Sequence, residues 1–298
     1  MTDIILGSGL NGLLAHLILG EQSKFIAYKK SRFFSHQIPI SDNHIEASED
    51  GPRLATLIGL PLRKKYFPVA VSYRGELIFN KRTWASTIVD KVFQSHPAAY
   101  NMLCRDFNVY ELTAKSLYDL LISKYQDEIL KSPPQIIRIL DKRVITSDGT
   151  EISYDRIIST IPLNALLELV GDDSVLKSLD YHVFLMATDV FNLEGAQRCY
   201  IGDVAIPFWK VNVLNNNLYQ FFANSEVSNA EKVFSLLAKD RFRIISNTII
   251  KEAFPDGAPP IEIIKKLESK SIFCIGSNAR WDYFFDIASS ISKLFSLK

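Results

Sequence analysis

The sequence DIILGSGLNGLLAHLIL, which runs from Asp3 to Leu19, joins a short apolar run, a glycine-rich turn and an apolar helical stretch. In such a unit Gly7 permits a tight turn, Gly9 lets the backbone approach a ligand, and Gly12 allows helix and strand to touch. The free N–H groups and positive dipole end of the helix favour a phosphate there. The residues predicted to bind the pyrophosphate of a dinucleotide are Gly7, Ser8, Gly9, Leu10, Asn11 and Gly12.

The end of the next predicted strand, Lys24 to Tyr28, departs from the usual dinucleotide-binding pattern. An acidic residue that binds a ribose hydroxyl is expected about 20 residues after the glycine turn, and Lys29 and Lys30 occupy that place. These lysines would either contact the 2′-phosphate of NADP or lie in solvent. His16 also stands where a small residue often packs the helix on the sheet.

The composition describes a globular chain with an ample core: 298 residues, 47% hydrophobic and 22% charged. The net charge of +1 does not indicate nucleic acid or an anionic membrane as a partner. A basic patch at Arg74, Lys81 and Arg82 leaves nucleic acid possible, although a solvated surface is the favoured interpretation. We expect no transmembrane helix, because no apolar stretch reaches the roughly 18 residues required. We also expect a cytoplasmic location.

Cysteines and histidines argue against a metal centre or a disulfide scaffold. Cys104, Cys199 and Cys274 are widely spaced, and no CxxC or HExxH spacing occurs. We therefore expect no dedicated metal site.

The order of the predicted elements indicates an α/β protein. A hairpin follows Pro133, and a buried strand ends at Pro162. Helices are expected near 84–95, 113–129 and 228–253, and strands at 76–79, across 181–223, at IEIIKKL and at SIFCIG. A terminal helix is expected at DIASSISKLF.

This order predicts a Rossmann-like domain assembled from separated segments, with an inserted α+β substrate domain that contains an antiparallel sheet. The Rossmann-like domain is expected to comprise residues 1–50, 135–172 and 262–298. The substrate domain is expected to comprise residues 51–134 and 173–261.

Four blocks in this order resemble the amine oxidase and UDP-galactopyranose mutase group of FAD-dependent enzymes: GSGLNGLLA, YDRIISTIPLNALLELVG, IPFWKVNVLNN and SIFCIGSNARWDYFFDIASSI. The resemblance implies that the glycine turn holds the pyrophosphate of FAD. It also implies that the strand containing Thr160 returns to the same sheet, and that a C-terminal segment leads into a helix beginning beside the flavin. The further cofactor-binding residues that it implies are Lys29, Lys30, Thr160, Gly276, Ser277, Phe285, Asp286 and Ile287.

The resemblance also implies a substrate pocket. Trp281 and Tyr283 occupy the aromatic positions of the tail, where they would face the flavin or, alternatively, pack in the core. Lys210 stands where the mutase has arginine, and would position an anionic group or a water, or else lie on a strand surface. Phe208, Trp209 and Tyr219 would supply further aromatic walls. Ser277 stands where arginine is common.

Three functions fit these residues. The favoured one is an FAD-dependent oxidoreductase acting on a C–N bond of an amine or amino-acid-like group, free or attached to a larger molecule. The second is a mutase-like flavoenzyme acting on a nucleotide sugar without net redox change. The third is a catalytically silent dinucleotide-fold binding protein, and NAD(P) chemistry is a smaller alternative.

Overall fold

A computed structural model describes residues 2–26, 44–74, 76–79, 107–215, 217–223, 227–239, 241–255, 260–280 and 286–298. The described helices are α1 (Leu10–Leu19), α2 (Gly51–Ile58), α3 (Ala114–Leu130), α4 (Leu163–Leu169), α5 (Ala230–Ala238), α6 (Ile261–Ser269), α7 (Ser277–Arg280) and α8 (Ile287–Leu297). The described strands are β1 (Asp3–Leu6), β2 (Ser23–Ile26), β3 (His44–Glu46), β4 (Lys64–Phe67), β5 (Val69–Tyr73), β6 (Glu76–Ile78), β7 (Phe107–Thr113), β8 (Ile136–Leu140), β9 (Arg143–Thr146), β10 (Glu151–Ser153), β11 (Arg156–Ser159), β12 (Ser178–Thr188), β13 (Arg198–Ile201), β14 (Phe208–Asn215), β15 (Leu218–Ala223), β16 (Phe242–Pro255) and β17 (Ile272–Cys274).

Contacts divide the chain into two units, each assembled from separated segments. The first unit comprises Met1–Lys64, Tyr110–Lys177 and Pro255–Lys298, and the second comprises Lys65–Val109 and Ser178–Phe254. These limits differ from the ranges expected from the sequence, because residues 51–64, 110–134, 173–177 and 255–261 group with the first unit. The reason is apolar packing: α2 and α3 contribute Leu54, Leu117 and Leu121 to the same core as α1.

The first unit is built on a parallel sheet of order β17–β11–β1–β2. Every side chain of β1 is buried, as expected for a strand whose sheet is covered on both faces. The antiparallel sheet β10–β9–β8 lies in the same unit, and a further sheet has the order β3–β7–β4. This architecture confirms the Rossmann-like fold predicted from the sequence.

Arg156 joins the three segments of the first unit. Its guanidinium donates to both carboxylate oxygens of Asp3, at 2.8 and 2.6 Å, and to the carbonyl oxygen of Leu297. Asp3 is fully buried, so its charge requires this partner. The N-terminal strand, the central strand and the C-terminal helix therefore meet at one side chain.

The second unit is built on a larger, mostly antiparallel sheet of order β16–β12–β15–β14–β13–β5–β6. Within it, β13 and β5 are parallel. One face carries an apolar core whose aromatic rings include Phe184, Phe208, Phe221 and Phe234. The antiparallel sheet expected in the substrate domain is therefore present.

Two predicted elements are wrong. The helix expected over 228–253 ends at Ala238, and β16 follows it. The β-branched run in IISNTII explains the strand. IEIIKKL, expected to be a strand, is the start of α6, because Ile264 and Leu267 lie three residues apart on its buried face. The helix expected near 84–95 lies outside the described residues.

No helix within the described part of the chain combines the length and the apolar character needed to cross a membrane.

Candidate functional site

The carboxyl ends of three parallel strands meet at one edge of the first unit's sheet. Leu6, Ser159 and Cys274 lie side by side at the ends of β1, β11 and β17. The residues after them include Gly7, Thr160 and Gly276, so the chain's three segments contribute to the edge where open α/β sheets bind ligands.

Glycine is required at two positions of the turn because of close approach. A methyl group on Gly12 would lie 2.1 Å from the Gly7 carbonyl oxygen, and one on Gly7 would lie 2.6 Å from Thr160 Oγ1. Gly7 also has φ +99°, in the region that favours glycine. Thr160 Oγ1 donates to the Leu6 carbonyl oxygen at 2.8 Å, which fixes its place beneath the turn.

Gly9 differs, because space is open around it. No atom lies within 4 Å of a methyl group built on Gly9, and the residue is exposed. It is the N-cap of α1, and no side chain caps the helix there. The first N–H groups of a helix have no partner within it. The start of α1 therefore presents uncapped donors and a positive dipole end to an open space, as a phosphate site requires.

Asn11 adds a polar group beside this helix start. A methyl group on Gly276 would lie 2.4 Å from Asn11 Nδ2, and Gly276 has φ +102°. Asn11 Oδ1 is buried and, among the described residues, has no hydrogen-bond partner. Because a buried acceptor without a partner is costly, this oxygen is suited to a hydroxyl group of a bound molecule. Sequence reasoning placed Asn11 at the site but gave it no such role.

The start of α8 is occupied by a side chain of the protein itself. Asp286 is its N-cap, and Oδ1 accepts a hydrogen bond from the Ser289 N–H at 2.7 Å. The resemblance implies a helix that begins beside the flavin near Ile287, and in the structure the Asp286 carboxylate already takes one donor at that helix start. Ser277 begins the short helix α7.

Several residues predicted for the site lie outside the described part of the chain: Lys29, Lys30, Trp281, Tyr283 and Phe285. Their assignments to the adenosine end and the substrate pocket remain predictions.

In the second unit, Lys210 lies on a polar face opposite the apolar core. Its ammonium group lies 3.9 Å from the ring centroid of Phe222 and 4.8 Å from that of Trp209. A β-bulge at Trp209 produces this placement, because Phe208 pairs with Ala223 while Lys210 pairs with Phe222. The bulge turns Phe208 and Lys210 to opposite faces.

The structure corrects the predicted pocket at two of its aromatic walls, Phe208 and Tyr219. Phe208 lies in the apolar core, and so does Tyr219, whose hydroxyl donates to the Phe191 carbonyl oxygen at 2.5 Å. Neither ring shares the face of Lys210. Trp209 does, and it stacks on Tyr200 at 6.2 Å between ring centroids.

Sequence reasoning missed three polar residues on this face. Arg198 Nε donates to Asn212 Oδ1 at 3.1 Å, and Gln220 lies opposite Asn212 on the next strand. Burial, and secondarily the charge of Arg198, hold the pKa of the Lys210 ammonium well below its usual range. In the sequence, only the alternation of side chains in FWKVNV and LYQFF points to this face, and it does so correctly only when the bulge is known.

Comparisons with known proteins match the fold. No protein-family model matches the sequence, and no curated protein matches it significantly. A solved structure of reduced UDP-galactopyranose mutase is 14% identical, with a TM-score of 0.68 over 99% of this chain and 94% of that one.

Two other structures extend the likeness. An oxidoreductase from Methanosarcina mazei is 11% identical, with a TM-score of 0.58 over 100% of this chain and 99% of that one. A p-nitrophenol 4-monooxygenase from Pseudomonas putida is 15% identical, with a TM-score of 0.51 over 84% of this chain and 67% of that one. The chain therefore has the fold of these enzymes, which confirms the predicted resemblance at the level of fold.

Proposed function

We propose that this chain binds FAD at the glycine turn and acts as an FAD-dependent oxidoreductase on a C–N bond. The observation that carries the proposal is the uncapped start of α1, open at Gly9 and closed beneath by Gly12 and Thr160. Such a start suits a pyrophosphate, because its two anionic phosphate groups can accept hydrogen bonds from the free N–H groups of the helix.

The residues at the sheet edge fit FAD. The N–H groups of Leu10, Asn11 and Gly12 would hold the pyrophosphate, and Asn11 Oδ1 would accept from a hydroxyl of the ribityl chain. A long cofactor also needs a contact beyond the first strand and helix, and Gly276 brings the third segment against Asn11. This extension favours FAD over NADP. When bound, FAD supplies a hydride acceptor.

The C–N assignment rests on the charge of the second unit's polar face. The charged guanidinium of Arg198 lies on it beside Lys210, and a cationic ammonium substrate would be repelled by that charge. A substrate that carries a carboxylate beside its amine would be attracted instead. This supports an amino-acid-like group, free or attached to a larger molecule, as the group oxidised.

The first test is the visible spectrum of the purified protein, followed by anaerobic mixing with amino acids and amines. We expect a yellow protein whose flavin absorbance near 450 nm is bleached by a substrate and restored by air. The variant N11A should retain less flavin, while N11S, which keeps an acceptor, should retain more than N11A. A colourless protein that FAD does not reconstitute would support a silent binding protein instead.

A mutase-like function is the second candidate. It is favoured by the likeness to reduced UDP-galactopyranose mutase over nearly the whole of both chains. Such a function predicts that a nucleotide sugar is converted only after the flavin has been reduced chemically, with no oxygen consumed during turnover. Chromatography of the sugar products, with and without dithionite, separates it from amine oxidation.

A further inference from the structure

Two largely buried polar side chains lie on the second unit's polar face. Oε1 of Gln220, in a residue that is 2% exposed, has no hydrogen-bond partner among the described residues. The residue Lys210 is 7% exposed. The contacts of Lys210 are the rings of Trp209 and Phe222. The buried acceptor of Gln220 is thus unsatisfied, which is costly unless a ligand supplies its partner, and the largely buried Lys210 amine beside aromatic rings would also gain from a polar ligand.

These two groups share one face and are close neighbours in the sheet. Lys210 lies opposite Phe222, and Asn212 lies opposite Gln220, on adjacent antiparallel strands. Residues directly opposite in such a pair point to the same side, as do residues two apart on one strand. Lys210 and Gln220 are therefore diagonal neighbours, within the reach of one small molecule.

The chemistry of the pair specifies a ligand. The Lys210 amine, with Arg198 on the next strand, favours an anion, whereas Gln220 Oε1 can only accept a hydrogen bond. A molecule that satisfies both must carry an anionic group beside an N–H or O–H donor. The rings of Tyr200, Trp209 and Phe222 offer apolar surface to the rest of that molecule.

We propose that Lys210 and Gln220 form a binding subsite for a carboxylate with a neighbouring N–H or O–H donor, as in an amino acid or a hydroxy acid with an aromatic side chain. The inference deepens the proposed function and rests on it, since an amino-acid-like group is the substrate class proposed there. Binding itself does not depend on the flavin.

The subsite should couple ligand binding to proton uptake. Burial and Arg198 lower the pKa of Lys210, and an anionic ligand opposes both effects because it stabilises the ammonium form. The charged and titratable groups that face Lys210 from β13 are Arg198 and Tyr200, and the described residues facing it from β15 add none. Any neutral fraction of Lys210 grows with pH, so the proton uptake should grow with it.

Isothermal titration calorimetry of the full chain with four matched probes tests the ligand class. Phenylalanine carries both features, phenyllactate replaces the amine by a hydroxyl, 3-phenylpropionate lacks the donor, and 2-phenylethylamine lacks the carboxylate. We expect phenylalanine or phenyllactate to bind at least about tenfold more tightly than either incomplete probe. The first two probes also distinguish an amino acid from a hydroxy acid.

Three variants assign the binding to the two residues. K210M should weaken the tighter probe by about tenfold to a hundredfold. K210R should retain binding but lose proton uptake, measured in buffers of different ionisation enthalpy, because arginine is always charged. Q220L should remove the preference over 3-phenylpropionate while leaving that probe's own affinity near the parent value.

The outcomes separate this proposal from the proposed function. Failure of every probe to bind, equal binding of all four, or binding unchanged by K210M would overturn the subsite. If K210M does not fold, proton uptake that persists in K210R would overturn it. A protein that binds phenylalanine as expected but retains no FAD would overturn the proposed function alone, whereas a yellow protein without probe binding would overturn the subsite alone.

Discussion

The helices α1 and α8 pack against each other in the first unit, yet they begin in opposite ways. At the start of α1 stands Gly9, which brings no side chain, whereas α8 begins with Asp286 and its carboxylate accepts the Ser289 N–H. A carboxylate there satisfies a donor and is attracted by the positive dipole end of the helix. A glycine N-cap costs only a few tenths of a kcal/mol (about 0.3) relative to a capping side chain, and it leaves the donors available. The start of α1 is thus left open to a ligand, whereas the start of α8 is capped by the protein itself.

The largest expected effect comes from giving α1 the same kind of cap as α8. In G9D the new side chain has open space and a backbone that any residue adopts, so the fold should persist. Its carboxylate would take the helix donors and repel a pyrophosphate, so bound flavin should be lost almost completely. Absorbance per protein measures the loss, and thermal melting checks the fold. G9A, which adds no charge, is the matched control. If G9D retained its flavin, the open start of α1 would not be the phosphate site.

A smaller loss of bound flavin is expected from a change at Gly12, where the turn is tightly packed, than from the change at Gly9, where space is open. In G12A the methyl group would meet the Gly7 carbonyl oxygen at 2.1 Å, so the backbone must shift. We expect unfolding to become easier by about 1–3 kcal/mol, with weakened flavin binding. Chemical denaturation of G12A beside G9A measures the difference. Equal stability of the two variants would mean that helix and strand are not held in close contact there.

At the start of α8 the expected effect falls on stability alone. D286A removes the acceptor for the Ser289 N–H and should destabilise the protein by about 1 kcal/mol. Flavin content should not change. D286N keeps an acceptor and removes the charge, so it should melt near the parent temperature. Tighter flavin binding in D286N would show that this helix start faces the cofactor, as the resemblance implies.

The smallest effect concerns the last turn of α1, where His16 is 4% exposed. Its Nδ1 lies 2.7 Å from Ser23 Oγ and its Nε2 lies 2.8 Å from Glu128. Burial lowers the pKa of His16, and the neighbouring Glu128 opposes this only in part. The unfolded chain therefore binds a proton more readily, and stability should fall as pH drops through about 6.5, by less than about 1.4 kcal/mol per pH unit. Denaturation of the parent and H16Q at pH 7.5 and 5.5 tests this; an equal dependence on pH in both would contradict it.

The sequence predicted the glycine turn well because its geometry is local. Six consecutive residues define it, and the reasons for Gly7 and Gly12 are contacts within the turn and with Thr160. The close approach of Asn11 and Gly276 was not predictable, because the two residues are distant in the sequence. The N-cap role of Asp286 was readable in principle, since Asp before an apolar helix is a common capping pattern.

The second unit was harder to predict because its polar face is assembled from three strands. Alternation alone places Phe208 and Lys210 on one face, and only the pairing with β15 reveals the bulge that separates them. Gln220 carries no signal of its own in the sequence. The limits of the two units were hard to foresee for a similar reason, since α3 packs with α1, a helix nearly 100 residues away in the sequence.

Arg156 has a consequence for the order in which the chain acquires its structure. Its partners Asp3 and Leu297 are separated from it by 153 and 141 residues. Contacts between such distant residues slow folding, because a large loop must close before they form. During synthesis the Asp3 carboxylate has no Arg156 partner until the middle of the chain has been made, and Arg156 lacks the Leu297 carbonyl oxygen until α8 has been made. Until β11 forms, the edge of β1 that it covers is an unpaired template, so the nascent chain passes through a period in which a chaperone or a second copy can compete for that strand.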